Sequence, residues 1–116
     1  MLRQRKKFKH THSHTAANRA HYIKRAVERW APQSMLDVEK VKQLILANTE
    51  KGRQLTNTRY FFKFHSERER SYWVVVFSFR LKVPVTIYCD DEESPDYRDM
   101  ELITVDKLIP EGEETT

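Results

Sequence analysis

Polar and apolar positions alternate with period two from Thr58 onward, and this stretch sets the rest of the chain. Arg59, Phe61, Lys63 and His65 fall on one side of an extended segment, and Tyr60, Phe62 and Phe64 fall on the other. Ser66-Glu67-Arg68-Glu69-Arg70 reads as a charged turn. A second strand is predicted from Ser71 to Arg80, with Trp73, Val75, Phe77 and Phe79 on its bulkier face and Tyr72, Val74, Val76, Ser78 and Arg80 on the mixed one. A third strand spans about Val83 to Cys89, and Pro84 marks an edge, a strand start or a bulge. Asp90 to Asp99 is an acidic loop containing Pro95, followed by a shorter strand over about Met100 to Val105.

Before this stretch the period is helical. Ala16, Ala20, Ile23, Val27 and Trp30 are spaced by four, three, four and three, which predicts a helix from about Thr15 to Trp30 with that stripe as its core face. His14, Asn18, His21, Arg25 and Arg29 then form the outward face, and Ala31-Pro32 stops the helix. A second helix is expected from about Met35 to Glu50. Ser34 and Asp37 resemble a capping box, Leu36, Val38, Val41, Leu44 and Ile45 make the apolar stripe, and Gly52 is placed to end the helix in a left-handed conformation.

These elements assemble as an α+β fold, with two N-terminal helices packed on one face of a three- to four-stranded antiparallel sheet. The organisation expected is a basic, histidine-rich arm over residues 1–13, a single domain over 14–105 and an acidic tail over 106–116. At 116 residues the chain accommodates one core. In this register the helix-free sheet face carries Arg59, Phe61, Lys63, His65, Tyr72, Ser78, Arg80, Thr86 and Tyr88. A slip of one residue would reverse it.

Charge changes the picture through its distribution. The sum is only +4, but residues 1–30 hold nine Lys or Arg against one acidic residue, and residues 31–89 hold ten against five. Residues 90–116 hold two basic residues against eleven acidic ones. A strongly cationic body suits a polyanion, and the anionic tail can fold back on it or engage a basic partner. A single cysteine, Cys89, excludes an internal disulfide framework. No apolar signal segment follows the basic start, and no apolar run reaches membrane-span length. A cytoplasmic protein with no membrane partner is the expectation.

The candidate chemistry lies on two surfaces. Cations mixed with aromatics on a sheet, here Arg59, Phe61 and Lys63, are how a sheet holds single-stranded nucleic acid, by phosphate contact and base stacking. The same residues also read as ordinary cross-strand packing with solubilising charge. Metal-independent RNA cleavage needs a base, a cation for the phosphate and an acid, roles that His65, Arg80, Lys63 and Tyr88 can fill if they converge. His10, His12 and His14 would share one side of an extended arm, but three or four convergent ligands are needed for a metal, and no metal or cofactor is expected.

The order helix, helix, antiparallel sheet, with basic residues on the strands, resembles the small RelE/ParE-like toxin ribonucleases and their relatives. One group of relatives carries His-x-x-x-Arg followed by Glu-Arg on its first helix, and this chain has His21-Tyr22-Ile23-Lys24-Arg25-Ala26-Val27-Glu28-Arg29. Leu36-Asp37-Val38-Glu39-Lys40-Val41 is similar to the start of that group's second helix, and Val85-Thr86-Ile87-Tyr88 to its closing strand. The resemblance implies functional roles for His21 and Arg25, with Arg80 and Tyr88 as partners on the sheet. Arg19, Lys24, Arg25 and Arg29 can alternatively contact phosphates from a basic helix.

The expected function is therefore a small RNA-binding protein, with a metal-independent, toxin-like endoribonuclease as its enzymatic form. The alternative is a non-catalytic adaptor or inhibitor of the phage or mobile-element type. It would bind nucleic acid or a host protein, the latter through the acidic tail.

Overall fold

The computed structural model describes residues 2–90 and 94–106, with side chains from His14 onward. Three helices, α1 (Leu2–Glu28), α2 (Gln33–Leu36) and α3 (Val38–Leu46), precede five strands. The strands are β1 (Arg53–Gln54), β2 (Arg59–Ser66), β3 (Ser71–Ser78), β4 (Val83–Cys89) and β5 (Leu102–Asp106). The fold is α+β, with the helices on one face of the sheet, as the periodicity predicts.

The expected register holds. Phe62 pairs with Val75 and Phe64 with Trp73, and Val75 pairs in turn with Ile87, so these residues line up across three strands. They form the core with Phe77, Ile103 and Val105 from the sheet and Tyr22, Ala26, Met35, Val38, Val41 and Ile45 from the helices. Each large side chain fully removed from water there contributes roughly 1.5–3 kcal/mol. Pro84 sits where the β3–β4 register shifts, between Val76 and Phe77, as a proline in a strand requires.

The last strand is placed differently from a simple meander. The order is β1-β2-β3-β4, and β5 joins the outer edge of β2 in parallel, beyond β1, with Phe64 beside Ile103. β4 and β5 therefore lie at opposite edges. The chain between them must cross the sheet on the face the helices leave uncovered, because the other face is filled.

The helices depart from expectation in three ways. The backbone is helical from Leu2, so residues 2–13 are not an extended arm. The predicted second helix is broken. Asp37 (φ −79°, ψ 90°) separates α2 from α3 and caps α3 by accepting from the Lys40 N–H at 3.1 Å, leaving the Ser34 hydroxyl to reach Asp106 instead. A 3-10 turn, Thr49–Lys51, follows α3. Gly52 is extended (φ −77°), not left-handed. Its role is steric, since a Cβ there would lie 2.6 Å from the Phe62 ring.

The third departure is the rotation of α1. Tyr22 and Ala26 are fully buried, whereas the predicted core stripe faces outward. Ala16 and Ala20 are exposed, and Ile23, Val27 and Trp30 keep 37%, 59% and 90% of their surface. The helix is turned by about a third of a revolution, at 100° per residue, from the amphipathic expectation. A buried hydrogen bond fixes the angle, with the Tyr22 hydroxyl donating to the Met35 carbonyl at 2.8 Å. α1 packs mainly on β4. Its end is a Schellman motif: the Trp30 N–H donates to the Val27 carbonyl and the Ala31 N–H to the Ala26 carbonyl. Trp30 occupies the left-handed position of that motif (φ 60°), where glycine is usual.

Candidate nucleic-acid interface

The sheet face that carries the predicted cations and aromatics is covered over Lys63 by the crossing segment, while Arg59, Arg80 and Tyr88 stay exposed. Lys63 is 2% exposed. Its ammonium donates to the Tyr97 carbonyl at 3.2 Å, lies 3.5 Å from Asp90 Oδ2, and stands 5.2 Å from the Tyr72 ring centre. Asp90 is held in turn, its Oδ1 accepting from the Ser94 N–H at 2.9 Å and its own N–H donating to the Tyr72 carbonyl at 2.8 Å. The Phe61 ring meets Tyr97 edge-on at 5.5 Å. Burial, and then the neighbouring Asp96 charge, push the Tyr97 phenol above its ordinary pKa.

A second set of contacts fastens the same segment to β1. Arg53 donates to the Asp96 carbonyl and to Asp99 Oδ1, the latter at 2.7 Å, which holds the exposed Asp99 carboxyl below its usual range. Met100 is buried beneath the end of the segment. Pattern alone singles out neither Asp90, Tyr97 nor Arg53. The available signal is Lys63 itself: a lysine between two aromatics on a central strand demands a counter-charge once covered, and Asp90 follows the next strand but one.

The proposed catalytic residues are dispersed. His65 stacks on Tyr72 at 4.7 Å near the end of β2. Arg80 lies in the β3–β4 turn, beyond the Ser78–Arg59 pair at the other end of the sheet. Six residues of strand, about 20 Å, separate Arg59 from His65. Tyr88 lies opposite Val74 on β4, two strands from β2, and His21 is exposed on α1. Arg59 is exposed at the start of β2.

The basic helix divides its cations between structure and surface. The Arg29 guanidinium donates to the Ile87 carbonyl and lies 5.0 Å from the Tyr88 ring centre, so it closes the outer edge of β4. Arg25 pairs with Glu28 at 3.0 Å in a half-exposed bridge of the kind that contributes little. Arg19 and Lys24 are exposed with His21 between them in sequence. Among the described residues, no group of three His, Cys, Asp or Glu side chains is placed to hold a metal ion, and no helix is long and apolar enough to cross a membrane.

No family model, no curated protein and no solved structure matches this chain.

Proposed function

We propose that this protein binds RNA or another nucleic acid through the exposed surface of α1, with Arg19 and Lys24 contacting phosphates and His21 on the Lys24 side. The observation that carries the reading is the contrast between two cationic surfaces. Lys63 on the sheet is neutralised and covered, whereas Arg19 and Lys24 stand in solvent on a segment with nine basic residues among its first thirty. The proposal is for binding. His65 and Arg80 stand at opposite ends of the sheet, which offers a single phosphodiester no position common to both.

A salt titration of binding to a fluorescent single-stranded RNA and to duplex DNA tests it. Affinity should fall steeply with salt, and Arg19→Ala with Lys24→Ala should flatten the slope by about 0.7–0.9 for each phosphate that is no longer neutralised. Binding that ignores salt, or the double variant binding like wild type, would overturn the assignment. A second reading, a protein adaptor, is favoured by the exposed Ile23, Val27 and Trp30 on the same helix.

A further inference from the structure

The end of the sheet away from His65 carries a cleft lined by Thr49, Asn57, Tyr60 and Phe79. Its volume is about 350 Å³, at the lower end of the range of small-molecule sites. The 3-10 turn after α3 supplies Thr49, the tip of the β1–β2 hairpin supplies Asn57, and the start of β2 and the residue after β3 supply the two rings. Backbone hydrogen bonds hold these walls. The Leu55 and Thr56 N–H groups both donate to the Arg59 carbonyl, at 2.9 and 3.0 Å, the Thr56 hydroxyl accepts from the Arg59 N–H at 3.1 Å, and the Phe79 N–H donates to the Thr58 carbonyl at 2.8 Å. Tyr60 and Phe79 meet edge-on at 5.2 Å, and Phe79 packs edge-on against Phe62 and Phe77 beneath it. The rings are therefore anchored on their core side, and a ligand entering the cleft does not have to order it.

The lining selects the ligand. An aliphatic guest would suit an apolar cleft, but these aromatic walls stand beside a side-chain amide that both donates and accepts, and beside the Thr49 and Tyr60 hydroxyls. Among the described residues none of these three side chains has a hydrogen bond of its own. Arg59 precedes Tyr60 and Arg80 follows Phe79, both exposed and, among the described residues, without an ion pair. With Lys82 these cations outnumber Glu50, the carboxylate that adjoins Thr49. A flat ring with donors and acceptors on its edge and a phosphate attached fits all three features: the ring stacks on aromatics, its edge meets the amide and hydroxyls, and the phosphate meets a guanidinium.

We infer that this cleft binds a single unstacked nucleobase, as a free mononucleotide or as one nucleotide of a single strand. Tyr60 and Phe79 contact the ring, Asn57 and Thr49 its edge, and Arg59 or Arg80 the phosphate. No residue of the cleft belongs to α1, so the assignment does not rest on the binding surface proposed above. It adds base recognition, which phosphate contacts do not supply.

The test is an NMR titration of the full chain, reading backbone amide shifts. The probes are each ribonucleoside 5′-monophosphate, ribose 5-phosphate as a phosphate without a base, and N-acetyltryptophanamide as an amino-acid ring. At least one monophosphate should give saturable shifts at Thr49, Asn57, Tyr60 and Phe79, with ribose 5-phosphate and N-acetyltryptophanamide far weaker. Asn57→Ala, at an exposed hairpin tip and safe for the fold, should weaken that binding by roughly 2- to 10-fold. Tyr60→Leu, which keeps apolar bulk over the core, should weaken it by roughly tenfold. Arg59→Gln with Arg80→Gln should reduce the monophosphate to the affinity of its nucleoside. The inference is overturned by the absence of saturable shifts with every monophosphate, by equal shifts with ribose 5-phosphate, or by Asn57→Ala binding like wild type. Tighter binding of N-acetyltryptophanamide also overturns it, and would make the cleft a peptide site. A short single-stranded RNA that shifts the same amides at lower concentration than the monophosphate identifies a strand as the source of the base, and the reverse order identifies the free nucleotide. Salt-dependent RNA binding without shifts at these residues removes the cleft alone. Shifts in a chain whose RNA binding ignores salt remove the α1 reading alone.

Discussion

Lys63 and Asp90 form an ion pair at 3.5 Å with almost no solvent at either side chain, 2% and 6% exposed. Among the described residues Asp90 Oδ2 has no hydrogen bond, so the ammonium is its main compensation. Removing one partner of such a pair strands the other charge. Asp90→Ala should cost roughly 3–5 kcal/mol in urea unfolding, and Lys63→Met combined with Asp90→Asn should recover much of it. An Asp90→Ala protein as stable as wild type would mean that the crossing segment does not seal Lys63.

Asp106 ties the end of β5 to two other elements. Burial alone would raise its pKa, but hydrogen bonds from Ser66, from the Arg68 and Glu67 backbone and from Ser34 outweigh it and lower the carboxyl below its ordinary value. A depressed folded pKa gives stability that is present above the unfolded value, near 3.9, and is lost as pH falls through the folded one. Wild type should therefore exceed Asp106→Asn by about 1 kcal/mol at neutral pH. The gap should close below about pH 4, as measured by denaturant unfolding across that range.

Trp30 sits at φ 60° in a motif that prefers glycine. Trp30→Gly should raise stability by roughly 1 kcal/mol, because the left-handed conformation loses its Cβ clash. Thermal unfolding reads the effect.

The rotation of α1 makes neighbouring residues respond oppositely. Ala26 is fully buried and Val27 is 59% exposed. Ala26→Leu should cost about 1–3 kcal/mol by overpacking, whereas Val27→Ser should stay within about 0.5 kcal/mol. Tyr22→Phe should cost about 1 kcal/mol by leaving the Met35 carbonyl unpaired. The reverse order of effects would restore the amphipathic stripe as the core face.

Strand order along the chain, the register of β2 against β3 and the division of the sheet into two faces are legible by alternation. A strand buried on one side shows its orientation in every second residue, as Tyr60, Phe62 and Phe64 do. The break at Asp37 is not legible, because local capping by that residue competes with a continuous helix and the apolar spacing runs through both. The orientation of α1 escapes the pattern for a related reason. Its most regular apolar stripe is not its buried one, and a tyrosine hydroxyl aimed at Met35 outweighs Ile23 and Val27 in setting the packing angle.

The sequence by itself therefore determined the α+β class, the strands and the side of the sheet on which Phe61, Lys63 and His65 lie, since period and residue type are local properties. Only the tertiary structure decided whether that side is open. The parallel placement of β5 on β2, at the edge away from β4, carries the connection across the face, where Asp90 and Tyr97 seal Lys63. A pairing between strands so far apart in the chain leaves no periodic trace in either one, so the surface that pattern singled out as a site is covered at Lys63 while Arg59, Arg80 and Tyr88 stay exposed, and the helix face it assigned to the core stands in water.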